Sequence, residues 1–190
     1  MSDLAERMDA ILRGAPGLMR VLAVARDLGL PDWMVFSGAV YQPVLNHLTG
    51  RPPDYGIADY DLAYFDGADV SWEAEDLVIR RVAAAFEPDL AAKVEVRNQA
   101  RVHLWFEDHF GEPYAPLTET AEALTRFTSP AFAVGARLEA DDRLTLIAPF
   151  GLEDLFARRL RPNPLRPSAG FARTVENARR RWPELVAESF

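Results

Sequence analysis

The sequence contains no cysteine, which excludes disulfide scaffolds, thiolate zinc sites and cysteine nucleophiles and leaves any metal to oxygen or imidazole ligands. Histidine is scarce: His47, His103 and His109 are the whole set, and none has the i, i+4 spacing of a helical zinc motif. Lysine is nearly missing too, with Lys93 alone among 21 basic residues. Neither Gly-x-Gly-x-x-Gly nor Gly-x-Ser-x-Gly occurs, so Rossmann and hydrolase readings have no support. Apolar runs such as Trp33-Met34-Val35-Phe36 fall far short of the roughly 20 residues of a membrane helix. The segment Met1-Ser2-Asp3-Leu4-Ala5-Glu6 carries acids where a signal peptide would be basic. A cytoplasmic protein with no membrane partner is expected.

What is present suits a packed domain: 190 residues, 49% hydrophobic and 26% charged. The formal charge of −8 repels a polyphosphate backbone at long range. A broad nucleic-acid surface is therefore disfavoured, while a small anion held by local cations is not. The charge is uneven. Residues 151–190 hold eight Arg against five acids, and residues 1–150 hold 13 basic against 24 acidic residues.

No repeat or Gly/Ser linker divides the chain, so one domain is expected: amino-terminal helices over 1–30, an α/β core over 31–150 and a basic helical tail over 151–190. Asp3-Leu4-Ala5-Glu6 has capping-box form, and Leu4, Met8, Ile11 and Leu12 follow at helical spacing. Pro16 opens a second helix through Leu18, Val21, Leu22 and Ala25, stopping near Gly29 and Pro31. Trp33–Phe36 reads as a strand, Ser37-Gly38 as a tight turn, and Val40, Val44, Leu45 and Leu48 as a helix ending at Gly50. Ile57–Phe65 alternates as a strand, with Tyr60, Leu62 and Tyr64 on one face and Asp59, Asp61 and Ala63 on the other.

Ser71 caps a helix carrying Leu77, Val78, Arg81, Val82 and Ala85 to Pro88, and Lys93–Val96 is again a strand. Val102–Phe106 fits strand or helix, and Thr118–Phe127 reads as helix. Ala131–Leu138 and Leu144–Ala148 flank a polar turn, Glu139–Arg143, as a hairpin. In the tail Leu152, Leu155, Phe156 and Leu160 form an apolar stripe, prolines interrupt at 162, 164 and 167, and a last helix ends near Trp182. The result is an α+β, α/β-like domain.

Asp59-Tyr60-Asp61 carries the chemistry. An i, i+2 pair in a strand puts two carboxylates about 7 Å apart on one face, and such a pair needs cations; magnesium prefers oxygen ligands shared between carboxylates, water and phosphate. The plain alternative is an exposed strand face. Ser37-Gly38-Ala39 supplies small residues at a strand-to-helix turn, where backbone N–H groups and the helix dipole face a phosphate. Equally, Gly38 could be there for a positive φ and Ser37 for capping. Glu95, between Val94 and Val96, is a third acid able to complete a metal site or accept a proton. Arg97, Asn98, Arg101 and His103 are candidates to reach phosphate or acceptor, with surface or packing roles as the alternative. Trp33, Trp72, Trp105 and Trp182 read as core anchors.

The order of small-Gly turn, helix, Asp-x-Asp strand and later acidic strand resembles the nucleotidyltransferase fold of the DNA polymerase β superfamily. The stretches Phe36–Pro43, Asp59–Asp66, Val94–Trp105 and Ala148–Leu155 further resemble a family of small bacterial nucleotidyltransferase-like proteins with no assigned substrate. The resemblance implies a mixed central sheet flanked by helices with a helical carboxy-terminal region. It implies that Asp59 and Asp61 bind two magnesium ions, which manganese can replace, with Glu95 as third acid. Ser37 and Gly38 would then hold the triphosphate of ATP or another nucleoside triphosphate, helped by Arg97 and Arg101. Two departures stand out: the turn is Ser-Gly-Ala where Gly-Gly or Gly-Ser is common, and Gly38 and Asp59 are separated by a long insert, Leu48–Gly56. That interval is similar to the group that modifies small antibiotics.

The implied reaction is in-line attack of an acceptor hydroxyl on the α-phosphorus, with pyrophosphate leaving and two metals stabilising the entering and departing oxygens. A small hydroxylated acceptor is expected. A catalytically silent nucleotide-binding module and an RNA-end-modifying enzyme that uses the Arg-rich tail are the alternatives. Arg158, Arg159 and Arg161 are the tail residues placed over the triphosphate, or else on an ordinary solvated face.

Overall fold

A computed structural model describes residues 3–166, 168 and 170–188. Met1 and Ser2, which entered the reading of the amino terminus, and Pro167 of the interrupted tail lie outside them.

In chain order the elements are α1 (Asp3–Arg13), α2 (Pro16–Leu28), β1 (Met34–Phe36), α3 (Gly38–Leu48), β2 (Tyr60–Tyr64), α4 (Trp72–Ala83), α5 (Pro88–Ala91), β3 (Val94–Asn98), α6 (Phe106–Phe110), β4 (Gly135–Leu138), β5 (Leu144–Ile147), α7 (Glu153–Phe156), β6 (Arg159–Leu160), α8 (Phe171–Arg181) and β7 (Val186–Ala187). Three 3₁₀ segments, Gln99–Leu104, Thr120–Arg126 and Pro130–Phe132, fill the connections. The expected punctuation holds where it is local. Gly29 ends α2 in the left-handed region at φ 61°, and the Ser71 side chain accepts from Ala74 N to start α4.

Five strands form a mixed sheet in the order β3-β2-β1-β4-β5. β2 and β3 are parallel, joined through α4 as a βαβ unit, and the other pairs are antiparallel. One face buries Val35, Tyr60, Leu62, Tyr64 and Val96 against α1 to α4. That core continues to Leu155, Leu160, Phe171 and Trp182 of the tail. The opposite face buries a smaller group, Met34, Ala63, Leu124 and Ala133. It is covered in part by the 3₁₀ segments, and this is the face on which strand alternation puts Asp61, Glu95 and Arg97.

Several expectations change. The expected helix Thr118–Phe127 is a 3₁₀ segment over Thr120–Arg126 only, and Val102–Phe106 is not strand but passes from a 3₁₀ segment into the first residue of α6. Only Gly135–Leu138 of the first hairpin arm is strand. The tail is not wholly helical: α7 is one turn, and β6 pairs in parallel with β7. Leu77 is exposed at 67%, because the face of α4 toward the sheet carries Glu75 and Val82 as its buried residues.

Buried Asn46 fastens the Leu48–Gly56 insert. Its Nδ2 donates to Pro53 O at 3.1 Å and Tyr55 O at 2.9 Å, while its Oδ1 accepts from Trp182 Nε1 at 2.9 Å. One amide thus couples the insert to the end of α8. Asn46→Ala strands buried partners and is expected to cost roughly 2–4 kcal/mol, read as a shift of the urea midpoint; a loss under about 0.5 kcal/mol, the low end for a single hydrogen bond, would contradict this.

Candidate active site

The turn after β1 is where the site begins. Ser37 has φ 65° and ψ −141°, a region that costs a non-glycine residue on the order of 1–3 kcal/mol. The positive φ therefore belongs to Ser37 and not to Gly38, and Ser37 makes no side-chain cap. Its side chain is instead on the side of Asp61, where it favours the ionised carboxylate. At Gly38 a Cβ would lie 2.6 Å from Gln42 Nε2, the end of a flexible side chain that can move aside. Gly38 and Ala39 open α3 and are buried, and Val40 N and Tyr41 N donate to Ser37 O, so the N–H groups of Gly38 and Ala39 are the ones left without a partner inside the helix.

Parallel register sets Asp61 directly beside Glu95, and Ala63 beside Arg97, on strands about 4.8 Å apart. Asp59 lies one residue before β2. Burial first, then the charges of Asp59 and Glu95, push the Asp61 carboxyl from 3.8 up to about 6, against the opposing effects of Ser37 and Arg97. Glu95 is open to solvent, with Arg97 Nη2 at 3.8 Å from its carboxylate. Among the described residues no three His, Asp or Glu side chains enclose an ion by themselves. The donors are nevertheless all oxygens, and their crowding leaves negative charge uncompensated. That chemistry fits a hard divalent cation whose shell is completed by phosphate and water.

A cavity of about 790 Å³ opens on this face, and Asp61, Glu95, Arg97 and Arg101 all line it. Arg101 is engaged: Nη1 pairs at 2.5 Å with Glu75, Nε donates to Val70 O, and its guanidinium lies 5.6 Å from the Trp72 ring. Glu75 is 1% exposed, and its other oxygen accepts from Asn98 N at 2.8 Å. The ion pair locks α4 to the end of β3, so Arg101 acts as a brace for the cavity wall. Asn98 is likewise spent on Asp66 and Ala100.

In the tail, Arg159 and Arg161 both pair with buried Asp154 at 2.5 Å, which corrects their placement over a triphosphate. Another tail residue, Arg181, lies by Tyr41 and the Leu48–Gly56 insert. Tyr41, raised chiefly by burial, feels Arg181 together with Asp61 and Asp59, and Arg181 Nη1 donates to Gly56 O at 3.3 Å.

Other residues of the site had little signal in the sequence. Trp72 and Trp105 line the cavity with Phe106, His109 and Phe110, whereas Trp33 and Trp182 are core. The aromatic density of Trp105–Tyr114 was the one available clue. Arg181 had none beyond tail charge.

Comparison with known proteins bears on the family and the fold. A family model described as "Nucleotidyltransferase" matches residues 23–187. A solved structure titled "The NMR structure of the protein reveals a CCA-adding enzyme head domain" is similar at a TM-score of 0.76 and 26% identity, covering 97% of this chain and 96% of that one. No curated protein matches the chain.

Because the folded Asp61 pKa lies above its unfolded value, the native state binds more protons between about 4 and 6, and metal-free stability falls as pH rises through that window. Asp61→Asn is expected to raise the melting temperature at pH 7.5, by at most about 3 kcal/mol of stability, and to change little at pH 3.5. Equal shifts at both pH values in thermal scans would refute the charge crowding.

Proposed function

Since the chain belongs to the nucleotidyltransferase family, we propose that it moves a nucleoside monophosphate from a nucleoside triphosphate to a hydroxyl of a small acceptor, releasing pyrophosphate in a magnesium-dependent reaction. The observation that carries this is the crowding of Asp59, Asp61 and Glu95, the last two of which line a cavity on the sheet face. The family and its CCA-adding neighbour support nucleotidyl transfer in general.

Asp59, Asp61 and Glu95 would hold the divalent ions, magnesium or in its place manganese, and bound ions would supply charge neutralisation at the phosphates and at the entering and leaving oxygens. The chain's own groups do the positioning. Ser37 favours the ionised Asp61 carboxylate, and backbone N–H groups of Gly38 and Ala39 receive the phosphates with the α3 dipole behind them. Arg97 of β3 is the cation whose charge acts on Asp61, and Arg181 of α8 would meet the triphosphate from the tail. Glu95, the most accessible of the carboxylates facing the cavity, accepts the proton of the attacking hydroxyl.

The CCA-adding neighbour favours an RNA end as a second acceptor, against which the net charge of −8 counts. A silent nucleotide-binding module is the third reading; it requires triphosphate binding indifferent to Mg²⁺ and to Asp59→Asn.

The test is incubation with each labelled triphosphate, Mg²⁺ and a small-molecule cell extract. Acceptor-dependent pyrophosphate is expected, and Asp61→Asn or Glu95→Gln should lower it about 100-fold or more. Parent-like turnover by Asp61→Asn refutes the reading. Arg181→Ala should raise the KM for triphosphate about tenfold with kcat little changed, since one charge-assisted contact is removed from ground and transition state alike; an unchanged KM would remove Arg181 from the site.

A further inference from the structure

The aromatic half of the cavity is not used by any step above. Its wall is made by Trp72 from the first turn of α4 and by Trp105, Phe106, His109 and Phe110 around α6. Large aromatic side chains at such positions normally bury themselves, yet Trp72 is 55% and Phe110 56% exposed. Scattered exposed apolar residues need no explanation. These converge on one concavity, together with the acid that borders the reaction centre.

The wall is also rigid. Arg101 lies over one side of Trp72 while paired with buried Glu75. Phe106 packs on Phe110 at 4.6 Å and on Tyr114 at 4.5 Å between ring centroids, and Arg166 lies 5.5 Å from the Phe106 ring while paired with Glu112 at 2.6 Å. Ordered apolar surface around a few polar groups is the composition of a small-molecule site, and about 790 Å³ lies within the usual 300–1,000 Å³.

Position along the sheet separates this wall from the phosphates. The α3 turn follows β1, on one side of Asp61; the wall adjoins β3, on the other side, where Glu95 stands. A molecule lying on the rings therefore meets Glu95 first and approaches the α-phosphorus from the side opposite α3.

Charge selects its class. Of the cations lining the cavity, Arg101 is neutralised by Glu75, and Arg97 lies toward Glu95 and its own backbone, donating to Val96 O at 2.8 Å. The rings themselves present electron-rich faces. Among the described residues lining the cavity, an anionic acceptor would face Glu95 and Asp61 while each arginine on the ring side already lies against a carboxylate.

We propose that the aromatic wall formed by Trp72, Trp105, Phe106, His109 and Phe110 is the acceptor subsite, and that the acceptor is a neutral or cationic ring-bearing alcohol of one to three rings. This rests on the transferase reading of the same site. Its ring face stacks on the wall, and its hydroxyl oxygen forms the new bond to the α-phosphorus as the bond from that phosphorus to the bridging oxygen breaks. Pyrophosphate carries away the electron pair, and the hydroxyl proton passes to Glu95.

The test is ligand-observed NMR on the full chain, with Mg²⁺ and a saturating non-hydrolysable ATP analogue. The probes are 4-nitrophenyl β-glucoside as a neutral sugar, 4-(hydroxymethyl)benzylamine as a cationic aryl alcohol, 4-nitrophenyl phosphate as an anion, and a single-stranded RNA hexamer. At least one of the first two is expected to bind at least tenfold more tightly than the last two. Trp105→Ala and the exposed-site variant Phe110→Ser should each weaken it about tenfold, a loss typical of one ring contact, with affinity for the ATP analogue unchanged.

Preferential binding of the phosphate ester or the RNA overturns the proposal, as does failure of both ring alcohols to bind. Displacement of the probes by the analogue overturns it in favour of a base pocket. Unchanged probe affinity in Phe110→Ser, which has no fold to lose at an exposed ring, overturns it as well. Loss of transfer activity in the parent would instead sink the transferase reading while leaving these affinities as measured.

Discussion

Asp61 and Glu95 are neighbours because β2 and β3 run parallel and in register, and that single pairing forces two carboxylates onto strands only about 4.8 Å apart. Folding alone gains nothing from such an arrangement. Burial raises the cost further, since the Asp61 carboxyl loses water without gaining a paired cation. The surrounding structure supplies partial relief, through the Ser37 hydroxyl and the more distant Arg97. What remains uncompensated is, on the proposed reading, what a divalent ion and a triphosphate together would satisfy.

The rest of the site is arranged so that this crowding is held and not relaxed. Ser37 occupies a backbone region that disfavours a side chain, and its N–H is tied to Val134 O at 3.3 Å. The turn cannot rotate without breaking the β1–β4 edge. On the opposite side the Glu75–Arg101 pair locks α4 to β3. Removing one partner of a buried pair leaves an uncompensated charge, commonly at a cost of several kcal/mol, which suits a brace that must keep one geometry. Asn46 performs the same service for the insert before Asp59, and through Trp182 it ties the end of α8 to that insert.

The two faces of the sheet divide the labour. One is covered by long helices and buries the large core; the other is covered by 3₁₀ segments that pack less completely. Short segments leave room, and Ala63 beside Asp61 adds to it by its size. The cavity is thus a consequence of which face received weak cover, and its charged rim is a consequence of strand alternation on that face.

Local signals were legible in the amino-acid sequence: the two amino-terminal helices, the strand–turn–helix at Trp33–Gly50, the alternation that put Tyr60, Leu62 and Tyr64 opposite Asp61, the Ser71 cap and the polar turn of the hairpin. Each is written in residues within a few positions of one another, where periodicity and capping act. Asp59, Asp61, Glu95, Ser37, Gly38 and Arg97 could be named for the same reason, as residue types at a spacing. Tertiary structure alone decided the partnerships. Nothing near Arg101 announces that Glu75, 26 residues earlier, will consume its charge, and nothing near Arg159 and Arg161 announces that Asp154 will be buried beneath them. Trp72 and Trp105 have the composition of core residues and became cavity wall because the sheet edge they flank was left open. A short-range pattern sets which way a side chain points, whereas what it meets depends on loop closures across the chain, and those are settled only when the whole core packs.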